Sequence, residues 1–531
     1  MKDTTTRVYV PALCCLYFVL GAVLVPLAGI QNDEALFSNP IYLHLYRFRI
    51  HVWHHELPLM VMSYIGTLKT AIYWIVFHLA VPSVWSVRLP MLFLGSITIF
   101  LFYCLALKVS SQKAAFLAAL LLATDQTFLL TGTFDWGPVA IEHFLLVTGC
   151  LLFVKFAESA RWIHLAGASL ALGLGLWNKA IFSWALTGLA VATVVVLWPE
   201  VRSRLRWPTA GIAAVCFLAG ALPFVIYNLA QRNATLRENA KLELPDWNAK
   251  LGQVRSALEG RSLFGTLVRE DDAEGPKPPG SLAARIPFSV HSAFGERRGG
   301  ILSYVAAGCL LLVPLWWRSG AARFALVFCT VTWLLMAITK GAGGSAHHVV
   351  LLWPFPHLFA AIALAAIRWR AVGALLAVAV ACSNLLVWNE HLYKFERNGT
   401  GQTFTDAVNP LSERVGAIHA SGEASTSYIT DWGILNTLAM LQQGRLPIME
   451  IYDLFPANPV PDPDRDETMA LVLADRNAIF VGHVAVEEVY TGMRDRIEKF
   501  MENAGLRKQV VEVIPDSNGR PIFEIFRLAP R

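Results

Sequence analysis

Two adjacent carboxylates, Asp33 and Glu34, come directly after the first long apolar run of the chain. Paired acids at the boundary of a membrane are costly to desolvate, so they need a partner or a function. A carboxylate held at the mouth of a cavity can accept a proton from a hydroxyl group, which is general-base chemistry. The alternative is that the pair simply begins a solvated loop.

Histidine and arginine side chains are concentrated shortly after this pair. His44, Arg47, His51 and His55 are separated by three or four residues, a spacing that places them on one face of a helix. We therefore predict a short amphipathic helix on the membrane surface, which could anchor the chain or bind a phosphate headgroup. The same segment could instead hold a divalent cation, with His51, His55 and Glu56 as candidate ligands.

A second isolated acid, Asp135, lies between two later apolar runs, in the glycine- and proline-containing segment 131–138. We expect it on the same side of the membrane as Asp33, where two converging acids could activate a hydroxyl. Glu142 is a third member of the site or a polar residue packed within the helices. Asp125 is expected to form a hydrogen bond to a neighbouring helix.

A glycine-rich loop at 340–348 begins with Lys340 and ends with His347 and His348. Exposed backbone N–H groups together with positive charge are suited to a phosphate. The loop lacks the Gly-Lys-Ser/Thr element of a Walker A motif. It could also be a flexible connector.

The composition around these residues is that of a membrane protein. Of 531 residues, 55% are hydrophobic and 16% are charged, whereas soluble proteins have about 25% charged residues. The formal net charge of +5 is too small to indicate nucleic-acid binding. All eight cysteines lie in apolar runs, so neither a disulfide framework nor a zinc pattern is predicted.

Apolar runs of about 17–25 residues predict a mainly α-helical, polytopic membrane bundle. Basic residues are enriched in cytoplasmic loops. All the basic loops of this chain lie on the cytoplasmic side only if the run at 60–80 does not cross the membrane and stays on the outer side as an interfacial or re-entrant element. We therefore predict eleven crossings of the cell (inner) membrane, a cytoplasmic N-terminus and an extracytoplasmic C-terminus. The candidate runs lie near 8–28, 60–80, 88–107, 114–131, 138–154, 162–176, 181–198, 209–229, 300–317, 322–339, 348–367 and 371–388.

This topology divides the chain into a transmembrane module at 1–388 and an extracytoplasmic domain at 389–531. The module has outer loops at 29–58 and 230–299. The tail has an ordinary composition and alternates strand-like with helical patterns, which predicts a soluble α/β domain. Its strand-like runs are 427–430, 478–481, 509–514 and 522–527, and its helical patterns lie near 410–420, 433–443 and 485–504.

The order and sidedness of these features resemble the GT-C membrane glycosyltransferases. The similarity covers about residues 8–390 and is greatest to the branch of protein O-mannosyltransferases and aminoarabinose transferases. The matching features are Asp33-Glu34 after the first span, a helical segment bearing Pro58, Arg88-Leu89-Pro90 opening the next span, Asp135 after the third, and His347-His348 before a proline-containing apolar run.

The resemblance implies a transferase in the bilayer that moves a sugar from a polyprenyl-phosphate donor, with inversion, onto a hydroxyl. The acceptor would be a protein, lipid or glycan outside the membrane. The resemblance makes Asp33 the base or acceptor-positioning group, Glu34 its partner and Asp135 the second acid. It also implies donor-binding positions near His54, His55, Glu56, His347 and His348.

The sequence departs from the family pattern at two points. An arginine that often precedes the second acid is missing, and the lysine-proline element is replaced by Glu56-Leu57-Pro58. The donor phosphate could therefore be bound by Lys69, Arg297, Arg298 or Lys340.

Two other functions are compatible with a polytopic membrane chain. A transporter or flippase would need ionisable residues near the bilayer midplane and an inverted repeat, whereas these acids lie at the membrane edges and the sequence has no repeat. A polymerase or ligase of surface polysaccharide is a neighbour in mechanism and stays open.

Overall fold

The computed structural model describes residues 4–204, 206–270, 279, 282–456 and 462–531. Helices make up the chain to about residue 400, and a five-stranded sheet with helices follows. This confirms the expected fold class of a helical membrane bundle with a C-terminal α/β region.

The helical part contains twenty α-helices of very different lengths and one two-stranded sheet among the described residues. The first ten helices are α1 (Thr4–Leu24), α2 (Asn32–Ala35), α3 (Asn39–Tyr42), α4 (Leu68–Leu79), α5 (Val84–Val109), α6 (Gln112–Ala123), α7 (Gln126–Thr133), α8 (Val139–Ser159), α9 (Trp162–Asn178) and α10 (Phe182–Arg204). The others are α11 (Trp207–Ala230), α12 (Ala234–Asn239), α13 (Trp247–Leu258), α14 (Leu282–Phe294), α15 (Leu302–Leu311), α16 (Val313–Trp316), α17 (Gly320–Ile338), α18 (Ala346–Val349), α19 (Phe355–Ala366) and α20 (Arg370–Asn398).

Within the described residues, seven helices are long and apolar enough to cross a membrane. The number becomes nine if two bent pairs, 112–133 and 346–366, each count as one span. The expected eleven crossings are therefore not confirmed. α4 has 12 residues, fewer than the roughly 20 that a crossing needs, in line with the expectation that the run at 60–80 does not cross.

The bend between α6 and α7 has a local cause in the sequence. Asp125 caps α7, because its Oδ1 accepts a hydrogen bond of 2.8 Å from the backbone N–H of Phe128. The axes of the two helices differ by 54° at this point. Asp125 Oδ2 also lies 3.0 Å from Nε2 of His357 on α19, so the predicted hydrogen bond to a neighbouring helix is confirmed.

Small residues allow α9 and α11 to pack closely. A Cβ atom added to Gly173 would lie 2.2 Å from the carbonyl oxygen of Phe217, and one added to Gly220 would lie 2.5 Å from that of Leu170. Glycine at such crossings lets helix backbones approach each other within apolar surroundings. This contact fixes the position of the C-terminal end of α9.

The amphipathic helix predicted for residues 44–55 is wrong. This region forms a β-hairpin of β1 (Phe48–Val52) and β2 (His55–Met60), so Pro58 also lies in a strand rather than in a helix. Trp53, between the strands, has a positive φ of 57°. The base of the hairpin packs against α11 through Phe48 and Tyr227, whose ring centroids are 5.5 Å apart. Tertiary packing overrides the helical spacing here.

The C-terminal region is a mixed sheet in the order β4-β3-β5-β7-β6, in which β4, β3 and β5 are parallel. The four predicted strands are confirmed. The short β4 and α23 were not predicted, and the helix predicted from 485 begins at Met493. The elements are α21 (Val408–Ala420), β3 (Thr426–Ile429), α22 (Leu435–Leu441), β4 (Ile448–Glu450), α23 (Pro463–Ala474), β5 (Ala478–His483), α24 (Met493–Asn503), β6 (Leu506–Pro515) and β7 (Pro521–Pro530).

The C-terminal region contacts the segment that follows α1. Thr437 on α22 donates a hydrogen bond to the carbonyl of Ile30, and Asn436 donates from its backbone N–H to the side chain of Asn32. The backbone N–H of Gly29 donates to the carbonyl of Phe404. The sheet domain is therefore attached directly beside Asp33.

Candidate active site

The position of Asp33 is set by the short helix α2. Gln31 forms a capping box: its side-chain oxygen accepts from the backbone N–H groups of Asp33 (2.6 Å) and Glu34 (3.0 Å). Asp33 is half-buried, and this burial raises the pKa of its carboxyl group. Hydrogen bonds from Asn32 and Gln31 and the positive charge of Lys179 offset part of the rise. A half-buried carboxylate with a raised pKa has the properties of a general base.

Glu34 is buried and fully engaged by Arg88 of α5. Arg88 donates from Nε and Nη2 to the two carboxylate oxygens of Glu34, each at 2.8 Å. Its Nη1 donates to the carbonyls of Val25 and Ala28, and Nη2 also donates to that of Gly29. Because Arg88 engages both carboxylate oxygens, Glu34 fastens α2, and with it Asp33, to α5.

Asp135 forms a buried ion pair with Lys69 of α4. Lys69 Nζ lies 2.9 Å from Asp135 Oδ2 and donates at 2.7 Å to the backbone carbonyl of the same residue. Asp135 Oδ1 accepts from the backbone N–H of Ala140 at 3.1 Å, at the start of α8. The pair fixes α4 against the connection between α7 and α8.

Lys179 is a buried cation that the sequence analysis missed. It directly follows α9, and its Nζ donates to the carbonyl of Gly137 at 3.1 Å. Burial lowers the pKa of Lys179, and the nearby carboxylates of Glu142, Asp135 and Asp33 oppose this shift. Lys179 therefore lies against the loop of Asp135, in an acidic environment to which Asp33 contributes. A lysine at the end of an apolar helix is the signal that could have revealed it.

The glycine-rich loop reaches the same region through one of its histidines. Trp136 Nε1 donates to His347 Nδ1 at 2.9 Å, and the two rings are perpendicular. The ring of His348 lies beside that of His347, with centroids 4.3 Å apart. Lys340, at the other end of the loop, is exposed. The structure therefore brings His347, with His348 beside it, to Trp136, the residue next to Asp135, whereas Lys340 is exposed.

The polar side chains of the hairpin are exposed, and their hydrogen bonds and ion pairs join them to one another and to nearby residues. Glu56 accepts hydrogen bonds from Tyr46 and Arg49, and His51 Nε2 lies 3.4 Å from Glu56 Oε1. Residues 51 and 56 face each other across the hairpin, whereas His55 is paired with Val52. Because side chains alternate along a strand, His55 points to the opposite face from Glu56.

The three candidate metal ligands His51, His55 and Glu56 therefore do not converge. His54 is also exposed, at the turn. Among the described residues, no group of three or more His, Cys, Asp or Glu side chains could hold a metal ion.

The two arginines considered for phosphate binding have other partners. Arg298 forms an ion pair with Glu270, and Arg297 Nε donates to the carbonyl of Phe294 at 3.0 Å. Both are exposed. Of the four cations considered for the donor phosphate, Lys69 is the one that is paired with a candidate catalytic acid, Asp135.

Comparisons with known proteins identify similar folds. Residues 68–227 match the family model described as dolichyl-phosphate-mannose-protein mannosyltransferase. ArnT from Cupriavidus metallidurans bound to undecaprenyl phosphate has a TM-score of 0.60 at 11% identity, covering 99% of this chain and 98% of its own. The apo form of that protein gives a TM-score of 0.57 at 13% identity, over 98% of both chains.

The oligosaccharyltransferase of Archaeoglobus fulgidus in the apo form is also similar, with a TM-score of 0.50 and 13% identity over 91% of this chain and 70% of its own. The chain therefore shares the overall fold of ArnT, which confirms the expected fold. The similarity extends through the C-terminal region, beyond the expected residues 8–390. A search of curated proteins gives no match.

Proposed function

We propose that this chain is a GT-C integral membrane glycosyltransferase that moves a sugar from a polyprenyl-phosphate donor to an acceptor hydroxyl. The observation that carries the proposal is Asp33, a half-buried carboxylate positioned by the capping box of Gln31 and by the Arg88–Glu34 pair beside it. The family match and the ArnT structure described with undecaprenyl phosphate support a lipid-linked donor.

Transfer would take place on the extracytoplasmic side of the membrane. In this orientation the N-terminus is cytoplasmic, and the region from about residue 389 forms a domain over the site. The lipid chain of the donor would remain in the bilayer, so its phosphate would lie at the depth of the headgroups.

In the proposed reaction, Asp33 accepts the proton of the acceptor hydroxyl, and the hydroxyl oxygen of the acceptor attacks the anomeric carbon of the sugar. A new glycosidic C–O bond forms as the bond to the phosphate oxygen breaks, and polyprenyl phosphate leaves with the electron pair. Attack from the face opposite the phosphate inverts the anomeric configuration, and a single base suffices.

The cations stabilise the negative charge that develops on the leaving phosphate. We assign this role to Lys179, supported by Lys69 and by the histidine loop at His347 and His348. Asp135 holds Lys69 in place. The exposed His54, His55, Glu56 and Lys340 are assigned no direct contact with the phosphate, because they lie on the surface.

The test is transfer from a labelled donor by the purified full-length protein. Undecaprenyl-phosphate-linked mannose or aminoarabinose would be incubated with a panel of protein, lipid and glycan acceptors, and products would be identified by mass spectrometry. Formation of a glycosylated acceptor with release of undecaprenyl phosphate is the expected result. Movement of intact donor across proteoliposomes, with no transfer to any acceptor, would instead indicate a flippase.

A further inference from the structure

A cavity of about 400 Å³ opens on the C-terminal domain, in a place that the proposed reaction does not use. Its walls come from the segment after β4, from the loop that precedes α24 and from the first turn of α24. The lining side chains include Tyr452, Asp453, Phe455, Tyr490 and Arg496. The volume is within the range of sites that bind small organic ligands.

Aromatic rings form the walls of this cavity. The rings of Tyr452 and Tyr490 have centroids 5.3 Å apart and planes at 72° to each other. Tyr452 is 8% exposed, whereas Tyr490 is 42% exposed. Tyr490, whose ring is open to solvent and packed against the buried ring of Tyr452, offers an apolar face for the C–H groups of a ring and a hydroxyl for its polar edge.

The electrostatic environment of the cavity is acidic. Burial raises the pKa of Tyr490, and the carboxylates of Asp453, Glu450, Asp431 and Asp33 raise it further. Negative potential of this kind disfavours phosphate or carboxylate ligands and favours neutral or positively charged ones.

The cation in the cavity wall is tied to the protein. Arg496 Nε donates to the carbonyl of Phe455 at 3.0 Å, and its Nη2 contacts the sulfur of Met493. It therefore shapes the wall and compensates only part of the acidic charge.

The loop that carries Tyr490 is held by a buried acid. Asp431 accepts from the backbone N–H groups of Val489 (3.0 Å) and Tyr490 (3.3 Å), and it also lies 2.8 Å from Nδ1 of His483. Burial would raise the pKa of Asp431, but the hydrogen bonds from His483 and Val489 lower it overall, so it stays charged. The ring of Tyr490 is thus presented by a fixed backbone.

The region that carries the cavity also contacts the segment of the proposed catalytic carboxylate. The segment after Asp431 leads into α22, where Asn436 donates from its backbone N–H to the side chain of Asn32, the residue before Asp33. The negative charge of Asp33 also acts on Tyr490 across the interface.

We propose that the cavity lined by Tyr452, Asp453 and Tyr490 is the acceptor subsite and binds a neutral or amino-substituted sugar ring of the acceptor. This inference rests on the proposed function, in which Asp33 is the base of glycosyl transfer. The aromatic walls bind the sugar face, Asp453 accepts hydrogen bonds from its hydroxyl or amino groups, and the acidic surroundings exclude anionic acceptors.

Binding can be measured without turnover, by saturation-transfer NMR on the full-length protein in the absence of donor. The probes are the neutral disaccharide N,N′-diacetylchitobiose, its de-acetylated amine and a disaccharide that contains glucuronic acid. We expect signals from the first two and none from the third. Equal binding of the glucuronic acid probe, or no binding of any probe, would overturn the proposed subsite.

Substitutions of the lining residues test whether the probes bind in this cavity. Tyr490→Ala and Asp453→Asn should each weaken binding about tenfold, since each removes one main contact. Tyr490→Phe, which keeps the ring, should retain most of the affinity and guards against misfolding. Asp464→Asn is the matched control, because Asp464 is an exposed acid that does not line the cavity. Unchanged affinity in both Tyr490→Ala and Asp453→Asn would contradict the assignment.

A second measurement separates this inference from the proposed function. In a transfer assay with a glycan acceptor, Tyr490→Ala should raise the KM for the acceptor about tenfold and leave the KM for the donor unchanged. Cavity-dependent probe binding without any sugar transfer would refute the glycosyltransferase function while leaving the sugar-binding cavity. Transfer with an acceptor KM unaffected by both cavity variants would refute the subsite while leaving the function.

Discussion

Arg88 and Glu34 are joined by two hydrogen bonds of 2.8 Å, one from Nε and one from Nη2, to the two carboxylate oxygens. Both side chains are almost completely buried. The pair fastens α2 to α5, and Asp33 is the residue next to Glu34 on α2. The geometry of the proposed base is thus set by an ion pair that itself does no chemistry.

Glu34→Gln should therefore reduce both stability and activity. Removing one partner of a buried ion pair costs about 3–5 kcal/mol, because the other charge is left uncompensated. We expect a lower melting temperature in detergent and a fall in kcat, with a changed pH–rate profile because Asp33 moves. Glu158→Gln is the control, since Glu158 forms an exposed pair with Lys108 and its loss should have little effect. Wild-type kcat and pH profile in Glu34→Gln would contradict the positioning role.

The pH dependence of transfer should report the raised pKa of Asp33. A general base must be ionised, so activity should be lost as the pH falls through that pKa, which burial places above the ordinary aspartate value of about 4. The acidic limb of kcat/KM is thus expected above pH 4, measured with a donor whose own groups do not titrate in that range. An acidic limb at or below the ordinary aspartate value would argue against Asp33 as the base.

Lys179→Met should impair the handling of the donor phosphate. Loss of a charge-assisted contact is expected to raise the KM for the donor, lower kcat, or both, by about tenfold or more. The comparison is Lys340→Met, which removes an exposed lysine of the loop first considered for phosphate binding and should leave the kinetics unchanged. If Lys340→Met were the damaging substitution and Lys179→Met were silent, the assignment of the phosphate site would be wrong.

Substitutions of Asp135 and Lys69 should compensate each other in part in their effect on stability, but not in their effect on transfer activity. Asp135→Asn leaves the buried ammonium of Lys69 unpaired, at a cost of about 3–5 kcal/mol. The double variant Asp135→Asn/Lys69→Met should recover part of that stability, because the unpaired charge is gone. It should stay impaired in transfer, because positive charge near the leaving phosphate is also lost. Melting temperatures and kcat of the single and double variants measure the coupling, and full recovery of transfer would exclude a catalytic role for this pair.

Much of the fold could be predicted because its signals are local. The long apolar runs and the alternating pattern of the tail follow from hydropathy, and the acids at 33 and 135 are conspicuous between such runs. The histidine spacing before Glu56 predicts a helix, but intervals of three and four residues do not exclude a strand pair. The turn at Trp53 needs a left-handed backbone conformation, which the local sequence does not predict.

The features that the sequence does not predict depend on contacts between segments that are far apart in the chain. Lys179 becomes part of the site only because α9 ends beside Gly137, and the pairing of Glu34 with Arg88 joins residues that are 54 positions apart. The three-residue strand β4 carries too few side chains to show a period. The proposed acceptor cavity combines residues from two loops and the first turn of α24 in the C-terminal domain, and none of these segments alone suggests a site.

The central claim is that Asp33 is the base for glycosyl transfer, and Asp33→Asn tests it most directly. The measurement is the rate of transfer from a labelled polyprenyl-phosphate sugar, together with donor affinity and melting temperature for the same preparation. We predict that donor affinity and folding are kept while transfer falls by about 10²–10⁴-fold, the usual contribution of a general base. Transfer near the wild-type rate in a folded, donor-binding Asp33→Asn protein would contradict the account.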